Sequence, residues 1–214
     1  MKLSVKKLVL LAMLAAAAYV IVALVRIPVV LFLKYEPKDV IITIGGFLLG
    51  PMAAFAVSAL VSALEMITIS ETGPIGCLMN LLSTCSFACM AAYIYKRQHT
   101  LKGAVIGLSL GSVGMVIIML LWNWLITPLY MGVSRNVVEG ILLSAILPFN
   151  LLKAGLNTAL TLVLYKPLVT ALRRAGLAEQ RKETANTSRW GVILLSAVLL
   201  VTCILLLLVL QGNL

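Results

Sequence analysis

Histidine occurs once in this chain and acidic side chains only seven times, and all charged residues together make up 11% of it. His99 sits in a loop. Cys77, Cys85, Cys89 and Cys203 lie in apolar stretches with no C-x-x-C pair, so the ligand spacings of a metal or redox centre are missing. There is no G-x-x-x-x-G-K-S/T phosphate loop, no H-E-x-x-H or G-x-S-x-G sequence and no close pair of carboxylates. The chain is therefore expected to be no enzyme and to hold no cofactor. Repeated halves, common in secondary transporters, are not evident either. Alternating strand patterns are lacking as well, which leaves helices to satisfy the backbone.

What the chain has instead is hydrophobicity: 62% of its 214 residues are apolar, and mean hydropathy is +1.12. No ordinary soluble domain approaches these values. Apolar runs of about 18 residues or more recur along nearly the whole length, so the expected class is an all-α polytopic membrane protein embedded in a lipid bilayer. In a soluble protein a net charge of +10 would suggest nucleic acid. Here the basic residues gather in short loops between apolar runs, the signature of cytoplasmic loops, and no nucleic-acid partner is expected. Lys2, Lys6, Lys7, Lys96, Arg97, Lys102, Arg173, Arg174, Arg181, Lys182 and Arg189 fall on one side, against Arg26, Lys34, Lys38 and Arg135 on the other. That asymmetry puts the N-terminus in the cytoplasm.

The first apolar run, Leu8 to Val25, reads as an uncleaved helix. Ala12 and Ala16 form a small-xxx-small pair on it that lets another helix approach, within the bundle or from a partner. An outer loop follows, in which Asp39 suits a helix start and Tyr35, Lys34 and Lys38 present a phenol and two ammonium groups. Val40 to Leu49 is short for a span and ends at the Gly50-Pro51 turn. Met52 to Ile69 returns outward with Glu65, either a ligand group or an interfacial neighbour of Glu71. Leu78 to Tyr95 runs inward, with Asn80 about one turn below the outer surface. Gly103 to Thr127 returns outward and ends in Trp122-Asn123-Trp124, then Tyr130. The aromatic rings fit an interfacial belt, while Asn123 between two tryptophans is placed to hydrogen-bond something flat. Val137 to Leu147 is too short to cross, and Pro148 fits either a kink in one long helix or the start of a new one.

Then comes the anomaly. Asn150, Lys153 and Asn157 fall within about 60° of one another on a helix and form a polar stripe in a segment otherwise fit for lipid. A charge at bilayer depth costs roughly 2.5 to 3.5 kcal/mol on insertion scales, so Lys153 is expected to face a cavity or a partner. On residues alone, a structural membrane protein whose polar groups merely link helices remains open.

The segments Tyr35-Glu36-Pro37-Lys38-Asp39, Glu71-Thr72-Gly73-Pro74-Ile75-Gly76, Trp122 through Gly132, and Ile146 through Lys153 resemble those of the riboflavin-binding S component of energy-coupling factor (ECF) vitamin transporters. The resemblance covers roughly residues 5 to 175. It implies a six-helix bundle that binds one vitamin at its outer face in a bacterial cell membrane. It also implies partners, namely a membrane scaffold subunit and two cytoplasmic ATPases. An S component for another vitamin or precursor is the nearest alternative. By the same resemblance Asn123, Asn150 and Lys153 match polar groups that hold riboflavin, Tyr35 matches a packing position, and Ala12 and Ala16 match the alanine motif that meets the scaffold. Lys38 joins the expected contacts, with Glu65, Asn80, Trp122 and Asn157 as weaker candidates. Riboflavin, flat and rimmed with carbonyls and hydroxyls, suits a cavity of amides, one ammonium and aromatic faces.

The expected organisation is a bundle over 1–175, a basic cytoplasmic linker over 176–189, and over 190–214 one extra C-terminal transmembrane helix that departs from the six-helix pattern. That helix, Trp190 to Leu210, reads as a lipid-facing appendage.

Overall fold

The computed structural model describes residues 5–31, 33–70, 72–176 and 189–210. Glu71 and most of the expected linker, 177–188, lie outside them. The elements in chain order are α1 (Val5–Leu24), β1 (Ile27–Val30), β2 (Leu33–Tyr35), α2 (Lys38–Leu49), α3 (Pro51–Thr68), α4 (Gly73–Thr84), α5 (Met90–Gln98), α6 (Leu101–Met131), α7 (Arg135–Ile141), α8 (Leu147–Arg174) and α9 (Arg189–Leu210). A π turn at Cys85–Cys89 joins α4 to α5, and another at Leu142–Ile146 joins α7 to α8. Five uninterrupted helical stretches among the described residues are long and apolar enough to cross a membrane.

Helix α2 explains the packing. Its 12 residues rise only about 18 Å, too little for a hydrocarbon core of about 30 Å, and nine of them are buried. It packs against α1, α3, α5 and α8, which is why its sequence is apolar almost all round. The main core gathers Ala15, Ala18 and Val22 from α1, Phe47 from α2, Val57 and Val61 from α3, and Ala88, Ala91 and Ala92 near the first π turn. Helix α6 crosses this region at very close range. A Cβ on Gly107 would lie 2.7 Å from the Ala91 carbonyl oxygen, and one on Gly111 would lie 2.6 Å from that of Phe87. Only glycine fits there, the small-residue logic of packed membrane helices.

Two expectations change, for the loop after α1 and for the last helix, and the alternatives at Pro148 are decided. The loop after α1 is a two-stranded antiparallel hairpin pairing Ile27 with Tyr35. The strands are too short and irregular to show a period of two in sequence. The apolar piece before Pro148 is part of one long helical rod, because the π turn absorbs the missing proline N–H without ending the helix. The last helix is only half an appendage. Ile193, Leu194, Val198, Val201 and Leu205 are exposed, but Ser196 and Cys203 are buried, and α9 packs along α8 and touches β1. Gly155 makes room for it, since a Cβ there would lie 2.5 Å from Cys203 Sγ.

Candidate ligand-binding site

The hairpin, the end of α3, the start of α4 and the Pro148 end of α8 meet at the bundle end opposite the basic loops. They enclose a cavity of about 90 Å³ whose lining includes Leu33, Glu36, Met79, Asn80, Ser83, Met119, Phe149, Asn150 and Lys153. Beside it lies a smaller hollow of about 20 Å³ lined by Trp122, Thr127 and Tyr130 among others, with Thr72 and Met79 common to both.

Behind the cavity wall runs a buried ionic network with its centre on the first turn of α2, where Lys38 and Asp39 point to different partners. Lys38 Nζ contacts Glu36 Oε2 at 2.9 Å and both carboxylate oxygens of Glu65 at 2.5 Å. Asn80 donates to Glu65 Oε2 at 2.9 Å, and Arg26 Nε to Glu36 Oε1 at 2.9 Å. Arg26 also donates to the Ile69 carbonyl, tying the hairpin to the end of α3. Burial alone would raise the Glu36 carboxyl, but the ammonium groups of Lys38 and Lys153 and the Arg26 guanidinium hold it below the usual carboxylate range.

Asp39 serves the other half. Its Oδ1 accepts from Thr84 at 2.7 Å, and its Oδ2 accepts from Asn157 at 3.1 Å and lies 3.1 Å from Lys153 Nζ. Lys153 donates as well to Ser83 Oγ at 3.1 Å. The Tyr35 hydroxyl donates to Asn157 Oδ1 at 3.1 Å. Burial, and next the Asp39 carboxylate, push the Tyr35 phenol far above its ordinary value, so it stays a proton donor.

The expected site residues thus fall into groups. Asn150, Lys153 and Asn80 line the cavity, and Trp122 lines the hollow beside it. Tyr35, Lys38, Glu65 and Asn157 do not line either. They are buried in the network and spend their polar atoms on one another and on Glu36, Asp39 and Asn80. Glu65 is buried and off the cavity lining, held inside by the Lys38 ammonium. Asn123 is fully buried on α6, donates to the Met119 carbonyl at 2.7 Å and accepts from Thr127 at 2.9 Å. Those neighbours line the cavity and the hollow respectively. Asn150 likewise donates to the Ile146 carbonyl of the second π turn at 2.8 Å, which leaves its amide oxygen for another donor. Ala12 and Ala16 are exposed on α1.

Sequence reasoning missed the importance of Asp39. It lies in the first turn of α2 as expected, but the capping position is taken by Pro37, which makes no side-chain capping bond. The signal was present, since a carboxylate abutting an apolar run needs a cation, and Lys153 was the cation in want of one. Ser83, Thr84 and Met79 carried no signal, being small or apolar residues on an apolar helix.

Residues 6–165 match the family described as ECF transporter, substrate-specific component. Over 188 residues the chain is 30% identical to the riboflavin transporter FmnP of Bacillus subtilis (strain 168), an alignment covering 81% of this chain and 98% of that protein. It is also 30% identical over 178 residues to the riboflavin transporter RibU of Staphylococcus aureus (strain TCH60), covering 79% and 93%. A solved structure of the S component of a bacterial ECF transporter superposes with a TM-score of 0.67 at 28% identity, covering 79% of this chain and 98% of that one. The family match stops short of α9. With its apolar helices and a cavity at one end of the bundle, this multi-pass membrane chain belongs to the family of substrate-specific components of ECF transporters.

Proposed function

We propose that the chain captures riboflavin in the cavity at the hairpin end of the bundle and hands it to an ECF energising module, a membrane scaffold with two cytoplasmic ATPases, without chemistry of its own. One observation carries this reading: Asn150 and Lys153 stand on a cavity walled by Met79, Met119 and Phe149, in a chain 30% identical to two riboflavin transporters. Apolar walls suit the flavin ring, and amide and ammonium groups suit its carbonyl rim. The charge asymmetry of the loops supports an outer location for the cavity and a cytoplasmic N-terminus.

We assign Asn150 and Lys153 as direct contacts, with Asn80 and Trp122 beside them. Asn123, Tyr35, Lys38, Glu65 and Asn157 hold the walls in place. At about 90 Å³ the cavity is smaller than the roughly 300 to 1,000 Å³ of ligand pockets. Admitting a flavin therefore requires a wall to move, and the parts of the lining not made of a spanning helix are the hairpin, which supplies Leu33 and Lys34, with Glu36 just after it, and the α3–α4 connection, which supplies Ser70 and Thr72.

The test is the visible spectrum of the protein purified in detergent. A stoichiometric flavin absorbance is expected. Colourless protein that also leaves the fluorescence of micromolar riboflavin unquenched overturns the reading.

A further inference from the structure

Helix α9 lies outside the family match, which ends at residue 165, and among the described residues none of α9 lines the cavity. It nevertheless reaches the wall of that cavity. One apolar cluster holds Val29, Leu33 and Tyr35 of the hairpin, Ile146, Phe149, Leu152 and Leu156 of the α8 rod, and Cys203 of α9, with Leu206 and Leu207 packed against it. Leu33 and Phe149 also line the cavity. The same cluster is therefore both the cavity wall and the seat of α9.

The seat has a fixed register. A Cβ on Gly155 would lie 2.5 Å from Cys203 Sγ, so α9 meets α8 there at close range. Leu206 and Leu207 stand about 5 Å further along α9, and the helix touches β1. Leu152, Gly155 and Leu156 of this seam are apolar and need no cover from lipid, so shielding α8 is not what the contact achieves.

The attachments of the hairpin differ in chemistry. Arg26 at its foot donates to the Ile69 carbonyl, and Tyr35 donates to Asn157, bonds that strand a buried partner when broken. The cluster's contacts with α9 are apolar. Such contacts have no direction, and between surfaces embedded in lipid they gain only by fit. They can be made and released without leaving a polar group unpaired.

We propose that α9 is a strap over the cavity wall: its segment from Cys203 to Leu207 holds the hairpin against α8 whether the cavity is filled or empty, and so sets how fast ligand enters and leaves. This rests on the riboflavin reading and deepens it, adding regulation of that site by a helix beyond the family match.

Stopped-flow quenching of riboflavin fluorescence by the full chain in lipid nanodiscs tests the proposal. The loosened strap is Leu206→Ala with Leu207→Ala, and the comparison is Leu199→Ala, a truncation about 10 Å back along α9. Loosening is expected to raise the association and dissociation rates together, each at least twofold, leaving Kd within twofold of wild type. Leu199→Ala should leave both rates within 1.5-fold. Either rate rising less than twofold in the double variant overturns the proposal, and dissociation that speeds alone is one such case, making α9 a contributor to affinity rather than to exchange. A rise as large in Leu199→Ala overturns it too, since any loosening of α9 would then suffice. Riboflavin capture stands in all these cases. A wild type that quenches no riboflavin overturns that reading and this proposal with it. Should the double variant lack a cooperative melting transition, Leu207→Ala alone is held to the same limits.

Discussion

The Tyr35 hydroxyl and the Asn157 amide oxygen are 122 positions apart in sequence and 3.1 Å apart in space, bonding the hairpin to α8. Through Asn157 the hairpin is also bonded to Asp39, and through Asp39 to Lys153. Tyr35→Phe removes the donor and leaves a buried amide oxygen unpaired, at a cost of about 1 to 3 kcal/mol. Melting in detergent should shift downward by several degrees. An unchanged midpoint would mean that the bond contributes nothing.

Asn150 and Lys153 should both matter to ligand, and Lys153 to stability as well, since its loss leaves the buried Asp39 carboxylate unmatched. Replacing either with alanine is expected to weaken riboflavin binding at least tenfold while the helical circular dichroism signal stays at wild-type strength. Unchanged affinity in both variants would move the site elsewhere.

Helix α9 lies against α8 at Gly155, and its Leu206 and Leu207 pack on the apolar cluster that includes Leu33 and Phe149 of the cavity wall. Gly155→Ala should lower the melting point, consistent with the 1 to 3 kcal/mol typical of overpacking. Adding Cys203→Ala, which removes the clashing sulfur, should restore most of the loss. Deleting 189–214 should leave riboflavin binding intact but speed its release at least threefold, as measured by stopped-flow fluorescence. Lost binding would show that α9 is integral to the site.

On α1, Ala12 and Ala16 face outward while Leu10, Leu14, Ala15 and Ala18 are buried. A bulky Ala16→Trp should therefore leave riboflavin binding within twofold of wild type and abolish cellular uptake by blocking the scaffold. Uptake at the wild-type rate would place the scaffold contact on another face.

The spanning helices were legible in the sequence because an apolar run long enough to cross a bilayer has few other fates. Lys153 was legible for the converse reason, as a charge where lipid forbids one. The hairpin was not, because a strand of three or four residues carries no period to read. Nor was the division between residues that line the cavity and residues that hold its wall. Lys38 and Asp39 are neighbours in sequence, and only the crossing of α2 with α3 and α8 sends one to Glu65 and the other to Lys153. Type and spacing show that a polar residue is buried, but its partner is set by the tertiary fold.

The cancelling charges around α2 have an electrical consequence. Moving one elementary charge through a membrane potential of 100 mV takes about 2.3 kcal/mol. A network of three cations and three anions adds no net charge of its own to a displacement through that field. The membrane voltage therefore neither drives nor opposes a displacement of the network itself, and only the charges outside it, Lys34 of the cavity lining among them, feel that field.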